Sequence, residues 1–170
     1  MTAPPLPPGV RAATADDVPA LHALICDLAT YERARDQVRS TPDQLTAALF
    51  GSSPAVFALV AEADGVGEGG SEIVGFALYF LSFSTWEGVH GIHLEDLYVR
   101  PDRRGHGWGT SLLSALAAIA VARGYARVEW SVLDWNAPSI AFYRRLGAVA
   151  LDEWTSFRLT GAALRDVALP

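Results

Sequence analysis

The stretch Asp96-Leu97-Tyr98-Val99-Arg100-Pro101-Asp102-Arg103-Arg104-Gly105-His106-Gly107-Trp108-Gly109-Thr110, continuing through an Ala- and Leu-rich run to Arg123, decides how this chain is read. Leu97-Tyr98-Val99 reads as an apolar strand and Arg100-Pro101-Asp102 as a turn. After the glycines, Thr110 to Ala122 has the apolar periodicity of a helix. A glycine-rich turn between a strand and a helix N-terminus aims several unpaired backbone N–H groups at one point. The helix dipole adds positive potential there, which suits a phosphate or pyrophosphate. Glycine is required because a side chain would hold the anion away from the backbone.

The known glycine loops separate readily. A P-loop needs GxxxxGK[ST], and this chain contains no lysine. A dinucleotide fingerprint needs GxGxxG, whereas Gly105, Gly107 and Gly109 stand at alternate positions, so the third spacing fails. Arg104, Gly107 and Gly109 instead satisfy [RQ]xxGxG/A. A second segment follows one predicted strand later (Ala126 to Val132), running from Asn136-Ala137-Pro138-Ser139 through Phe142-Tyr143 to Gly147-Ala148. Asn136 can cap its helix, Pro138 fits the first turn, and Gly147 can end it in the left-handed conformation. Phe142 reads as a core aromatic, with Tyr143 turned away from that face. In this order the two segments resemble the pyrophosphate loop and the tyrosine helix of the GNAT superfamily, the acetyl-CoA-dependent N-acetyltransferases.

Composition sets the outer bounds. The chain has 170 residues, 51% of them apolar, which suits one domain with a sizeable core. No apolar run approaches the roughly 20 residues needed to span a bilayer. The opening MTAPPLPPG lacks the basic and apolar regions of a secretory signal, so residues 1–8 read as a disordered Pro-rich lead-in and 9–170 as a single domain. The single Cys26 permits no internal disulfide and falls in an apolar-periodic helix, as a buried inert thiol would. A cytoplasmic protein is expected. Net charge is −6 with 13 basic residues, all Arg, which argues against a nucleic-acid partner and favours cationic ligands. His90, His93 and His106 lack the spacing of metal ligands, so no metal is expected.

From end to end, Val10 to Ala13 reads as a strand, followed by a helix capped by Thr14 with Asp17 in its first turn and an apolar face of Leu21, Leu24, Ile25 and Leu28. Tyr31-Glu32-Arg33 lies at its end. Thr41-Pro42-Asp43-Gln44 opens a second helix to about Phe50. Strands are expected at Ala55 to Ala63, Ile73 to Phe83 (with Gly75 marking a bulge or close approach), Ile92 to Val99, 126–132 and 149–160, with a Gly-dense flexible loop from Asp64 to Ser71. The fold class is α/β (α+β). The resemblance implies a GNAT fold: a mixed, mostly antiparallel twisted sheet of six to seven strands with about four helices, its central strands splayed around Leu97-Tyr98-Val99.

Acetyl transfer from a thioester to an amine sets the chemical needs. The ammonium must lose a proton, the leaving thiolate gains from an acid, and the developing oxyanion needs hydrogen-bond donors. The resemblance implies Tyr143 as that acid, and it implies an acetyl-CoA site of Leu97, Tyr98, Val99, Arg104, Gly105, His106, Gly107, Trp108, Gly109, Thr110, Asn136 and Tyr143. Glu95 and Asp96 offer adjacent carboxylates, Glu95 being the expected base; neighbouring strand residues face opposite sides, so at most one points squarely into a given cavity.

Within the superfamily the chain resembles the spermidine/spermine and thialysine (diamine) N-acetyltransferase branch. Leu28-Ala29-Thr30-Tyr31-Glu32, Ile73-Val74-Gly75-Phe76, Trp86, Leu94-Glu95-Asp96 and Trp135-Asn136-Ala137-Pro138-Ser139 carry that likeness. It implies an amine site of Tyr31, Glu32, Trp86, Glu95, Asp96 and Trp154, direct attack in a ternary complex, and a homodimer. Phe157 stands where the polyamine enzymes have Trp, which opens the site to shorter diamines or thialysine-like amino acids. Other readings are a GNAT enzyme for another amine (an amino acid, an aminoglycoside-like compound or a protein N-terminus) and a non-catalytic acyl-CoA-binding regulatory domain.

Overall fold

A computed structural model describes residues 4–64 and 70–168. Most of the expected Asp64 to Ser71 loop, and the first three residues of the lead-in, lie outside the described residues. The chain forms two compact units, Met1–Ser131 and Val132–Pro170, each described on its own.

The first unit is a five-stranded sheet in the order β1 (Val10–Ala12), β2 (Phe57–Asp64), β3 (Ser71–Ser84), β4 (Val89–Val99) and β5 (Val128–Trp130). Every neighbouring pair is antiparallel except β4 and β5, which run parallel. Helices α1 (Val18–Tyr31) and α2 (Pro42–Phe50) cover one face, where Leu21, Leu24, Leu45 and Leu49 meet Ala58, Val60, Phe76, Leu78 and Tyr98. The alternate residues Leu59, Ala61 and Ala77 are buried too, and alternation turns them to the opposite face. There α3 (Trp108–Arg123) packs, with Leu112, Leu113, Leu116 and Ile119 forming a helical stripe. Burial on both faces explains why β2 and β3 read as continuous apolar runs.

Local chemistry sets the boundaries. Thr41 and Gln44 cap α2 reciprocally: Gln44 N–H donates to Thr41 Oγ1 at 3.3 Å and Thr41 N–H to Gln44 Oε1 at 3.0 Å. The first helix begins later than expected, because Ala15–Asp17 form a 3-10 turn before it. The Asp17 carboxylate accepts from Thr14 N–H at 2.7 Å and from both terminal nitrogens of Arg11, which hold it down at about 2. Arg11 also reaches Glu62 at 2.6 Å and so ties β1, α1 and β2 together. Gly75 is fixed by close approach: a Cβ there would stand 2.7 Å from the Tyr98 carbonyl oxygen, beside the register shift opposite Ala61 and Glu62. Cys26 is half-buried rather than buried, on the flank of the apolar stripe, with its sulfur 4.0 Å from His22 Nδ1.

The second unit holds α4 (Ala137–Arg145) and α5 (Gly161–Ala168). Asn136 Oδ1 accepts from Ser139 N–H at 3.3 Å, and Gly147 ends α4 at φ 87°. Residues 149–160 form no strand, so the described sheet has five strands and not six to seven. A strand exists by pairing its backbone, and the apolar residues of this segment, at 149, 151, 154, 157 and 159, drift out of a period of two. Val149, Leu151, Trp154, Phe157 and Leu159 are exposed, and α5, which had no counterpart in the sequence reading, follows them.

Candidate active site

The site is laid out along β4. Its ladder with β5 pairs Ile92 with Val128, His93 with Glu129 and Leu94 with Trp130, then stops. From Glu95 to Val99, β4 continues with its β5-side edge unpaired by that strand; the Val99 carbonyl accepts from Arg104 Nε, and the edge beside Leu97 is left open. A β-bulge sits where the ladder ends. Tyr79 pairs with Leu94 and Leu78 with Asp96, so Glu95 has no partner on β3. A bulge bends its strand and re-aims the side chains beside it.

The bulge gives the adjacent carboxylates different surroundings. Asp96 lies opposite Leu78 and therefore on the α1 face, where it is half-buried. Burial pushes its carboxyl up to about 6, reinforced by the charges of Glu95 and then Glu32. Glu95 stays exposed, with Oε2 4.0 Å from His93 Nε2. Glu32 caps the C-terminal end of α1, and its own carboxyl is raised by burial. The structure thus brings Glu32, Glu95 and Asp96 into one acidic cluster.

The turn carrying Glu32 is strained. Ala34 N–H donates to Ala29 O at 2.8 Å and Arg33 N–H to Thr30 O at 3.1 Å, the paired bonds of a Schellman motif. That motif places its central residue in the left-handed region, and here Arg33 occupies it at φ 60°. Arg33 is the one non-glycine at positive φ among the described residues.

The glycine loop closes the other end of β4. Pro101–Arg103 form a 3-10 turn, Gly105 lies at φ 82°, and Gly107, at φ 86°, caps α3. The helix starts at Trp108, two residues before the sequence-based start, so Trp108, Gly109 and Thr110 make its first turn. Ser111 is the first residue whose N–H reaches a carbonyl inside the helix, that of Gly107 at 2.9 Å. The three preceding N–H groups point out of the helix end, as an anion cradle requires. A Cβ on Gly105 or Gly107 would meet no protein atom, so the space beside both is open to a ligand. These features fit the pyrophosphate of acetyl-CoA. His106 Nδ1 lies 3.0 Å from Arg104 O, turning the ring back onto the loop. A cleft of about 470 Å³ lies alongside, lined by His106 and Trp108 with Pro8, Gly9, Glu62 and Asp64 among others.

Arg104 extends from this loop toward α1. Its Nε donates to Val99 O at 2.9 Å, and its guanidinium carbon lies 5.0 Å from the Tyr31 ring centroid and 5.5 Å from that of Tyr98. Trp86 is not brought to the cluster. It stands 92% exposed in the turn between β3 and β4, roughly 20 Å along the strand from Asp96 at ~3.3 Å per residue. Tyr143 lies on α4 in the second unit, its ring 5.3 Å from that of Phe142, and Trp154 lies in the exposed segment after it. Neither the bulge nor the Arg33 turn was found from sequence. Their one signal is a pair of adjacent carboxylates in an otherwise apolar strand, and a helix end without the expected glycine.

Residues 18–148 match the Acetyltransferase (GNAT) family. Among curated proteins the chain is 39% identical to the thialysine N-epsilon-acetyltransferase of Bos taurus, covering 94% of this chain and 96% of that protein. It is 31% identical to the L-ornithine N5-acetyltransferase of Arabidopsis thaliana, covering 93% and 86%. Among solved structures, an integron cassette protein from the mobile metagenome of V. cholerae superposes with a TM-score of 0.75 at 23% identity, covering 95% of this chain and 97% of that one, and so shares the fold.

Proposed function

The chain belongs to the GNAT acetyltransferase family and is an N-acetyltransferase, and we propose that its acceptor is a primary amine of a small cationic substrate: a diamine, a polyamine or a thialysine-like amino acid. The observation that carries this reading is the cluster of Glu32, Glu95 and Asp96 at the point where β4 leaves β5. Three carboxyls near one bulge attract a dication by charge, and a partly desolvated site holds it more firmly than a surface patch does. The relatives' names support the choice of amine, because thialysine and ornithine both carry two amino groups.

In this reading acetyl-CoA is the cosubstrate. The N–H groups of Trp108, Gly109 and Thr110 hold its pyrophosphate, and the open edge beside Leu97 pairs with its amides. The ammonium gives its proton to the Glu95–Asp96 pair, directly or through water. The freed amine attacks in a ternary complex, the C–N bond forms and the C–S bond breaks, the Tyr143 phenol protonates the departing sulfur, and the second proton lost by the attacking nitrogen, directly or through water, restores the phenol. Asp96, raised to about 6, is ionised at pH 7 and still basic enough to share that proton.

A homodimer belongs to the same reading. Val149, Leu151, Trp154, Phe157 and Leu159 form an exposed apolar run of the kind that marks a protein interface. So does a cytoplasmic location, supported by the lone half-buried Cys26; no helix among the described residues is long and apolar enough to cross a membrane. The test is a panel of thialysine, L-ornithine, 1,4-diaminobutane, spermidine and the neutral-tailed pentylamine, assayed with acetyl-CoA by free-thiol release. The dications should exceed pentylamine at least tenfold in kcat/KM, with the gap narrowing as salt rises. Equal rates across the panel would send the reading to another amine.

A further inference from the structure

The Arg104 side chain is held against β4 and the end of α1. Its Nε–H is committed to the Val99 carbonyl at 2.9 Å, and its guanidinium lies against the rings of Tyr31 and Tyr98, at 5.0 and 5.5 Å. Tyr98 is buried in the core under α1, so it is a fixed surface. Tyr31 is the last residue of α1, directly before Glu32. We infer that Arg104 is a positioning residue for the amine site: a strut from the glycine loop that fixes the end of α1 and, through Tyr31, the placement of Glu32.

The strain beside it supports the assignment. Arg33 occupies a left-handed position that a non-glycine residue holds only when its surroundings impose it. The Schellman bonds supply part of that constraint, and the guanidinium over Tyr31, two residues earlier, supplies more. The chemistry of the two basic residues also separates the alternatives. A phosphate contact needs a positive charge, which Lys provides. A planar group gripped by one carbonyl and two aromatic faces needs the guanidinium, and Lys cannot replace it. The backbone cradle of Trp108, Gly109 and Thr110 leaves the phosphates held without this side chain.

The inference rests on the acidic amine site proposed above, and its test keeps the two apart. Arg104→Lys, Tyr31→Leu, Tyr31→Phe, the Arg104→Lys/Tyr31→Leu double variant and Glu32→Gln are assayed with acetyl-CoA and thialysine, or the panel amine that the wild type turns over fastest. CoA affinity is followed by calorimetry and folding by thermal melts. Arg104→Lys and Tyr31→Leu should each raise the amine KM about tenfold while CoA affinity stays within about twofold of wild type. Tyr31→Phe keeps the aromatic face and should raise the amine KM less than Tyr31→Leu does. The double variant should be no worse than either single, as for two residues acting as one unit. A weakened CoA affinity in Arg104→Lys with an unchanged amine KM would overturn the inference and return the side chain to the phosphates, and so would additive effects in the double variant. If Glu32→Gln leaves the amine KM at wild type while Arg104→Lys and Tyr31→Leu raise it together, the acidic site fails and with it the role of Glu32, while the hold of Arg104 on Tyr31 and the end of α1 stands.

Discussion

Asp96→Asn should make this protein more stable and less active, with the stability gain confined to one side of the pH scale. The Asp96 carboxyl ionises at an ordinary value near 3.8 in the unfolded chain and at about 6 in the fold. An acid raised on folding is destabilising in its charged form. That contribution is absent below about pH 4, where both states are protonated, and complete above about pH 6, where both are ionised. The difference is about two pH units, and at 1.36 kcal/mol per unit the ceiling is roughly 3 kcal/mol. Solvent still reaches this half-buried side chain, so about 1–3 kcal/mol is expected. An amide fills nearly the same volume without the charge, so the variant should gain that amount at pH 8. In a chain of this length, that is a rise in Tm of about 2–12 °C, since 1 kcal/mol moves Tm by about 2–4 °C. At pH 4 the two proteins should melt together. Activity should move oppositely: wild-type kcat/KM should fall below about pH 6 as Asp96 takes up its proton, and the variant should lose that limb of the profile along with most of its rate at pH 7. Thermal melts and thiol-release rates from pH 4 to 9 measure both. A variant no more stable than wild type at pH 8, or one whose stability difference does not change with pH, would refute the reasoning.

Arg33→Gly should raise stability by about 1 kcal/mol, the cost of a non-glycine residue in the left-handed region, and an unchanged melting temperature would show that the turn is not strained. Gly107→Val should lower stability by about 1–2 kcal/mol, because φ 86° strains any residue with a Cβ even where that Cβ meets no protein atom, and acetyl-CoA affinity of the folded variant measured by calorimetry should fall at least tenfold as the side chain covers the N–H groups; unchanged affinity would place the pyrophosphate elsewhere. Tyr143→Phe keeps the ring beside Phe142 and should lower kcat by on the order of 10²-fold with little change in acetyl-CoA KM; a rate within about twofold of wild type would show that the thiolate leaves without this phenol.

What the sequence disclosed, and what it did not, follows from how local each signal is. The start of α2 at Thr41-Pro42, the Asn136 cap and the left-handed Gly147 were legible because residue identity alone determines them within a turn of chain. The glycine loop was legible for the same reason, although its helix begins two residues early because Trp108 and Gly109 tolerate helical geometry at an N-terminus. Adjacent strand positions suggested that Glu95 and Asp96 would part company. Which of them is sunk was not legible, because it depends on a register shift between β3 and β4 that no single strand encodes. The expected strand at 149–160 failed for a related reason: composition can suggest a strand, but only a partner's edge makes one.

Three departures from local rules fall within a few residues of one another in the fold: an extra residue in β4 at Glu95, a carboxyl raised by burial at Asp96, and a left-handed Arg33 beside Glu32. Each is unfavourable alone, by on the order of 1–3 kcal/mol for the strained backbone and the buried charge. A fold with no use for them could remove each by one substitution: an Arg33 glycine, an Asp96 amide, a deleted bulge residue. Their coincidence at the end of the β4–β5 ladder is best explained if the arrangement itself is what the chain keeps. Asp96 needs the bulge to turn it toward α1, Glu32 needs the Arg33 turn to meet it there, and burial at that place, reinforced by the charges of Glu95 and then Glu32, raises Asp96 into the range where a carboxyl can exchange a proton near neutral pH. Relaxing one member should therefore weaken the others. In the Arg33→Gly protein, the acid limb of the kcat/KM profile should shift to lower pH as Glu32 loosens its hold on Asp96, even while the protein melts at a higher temperature.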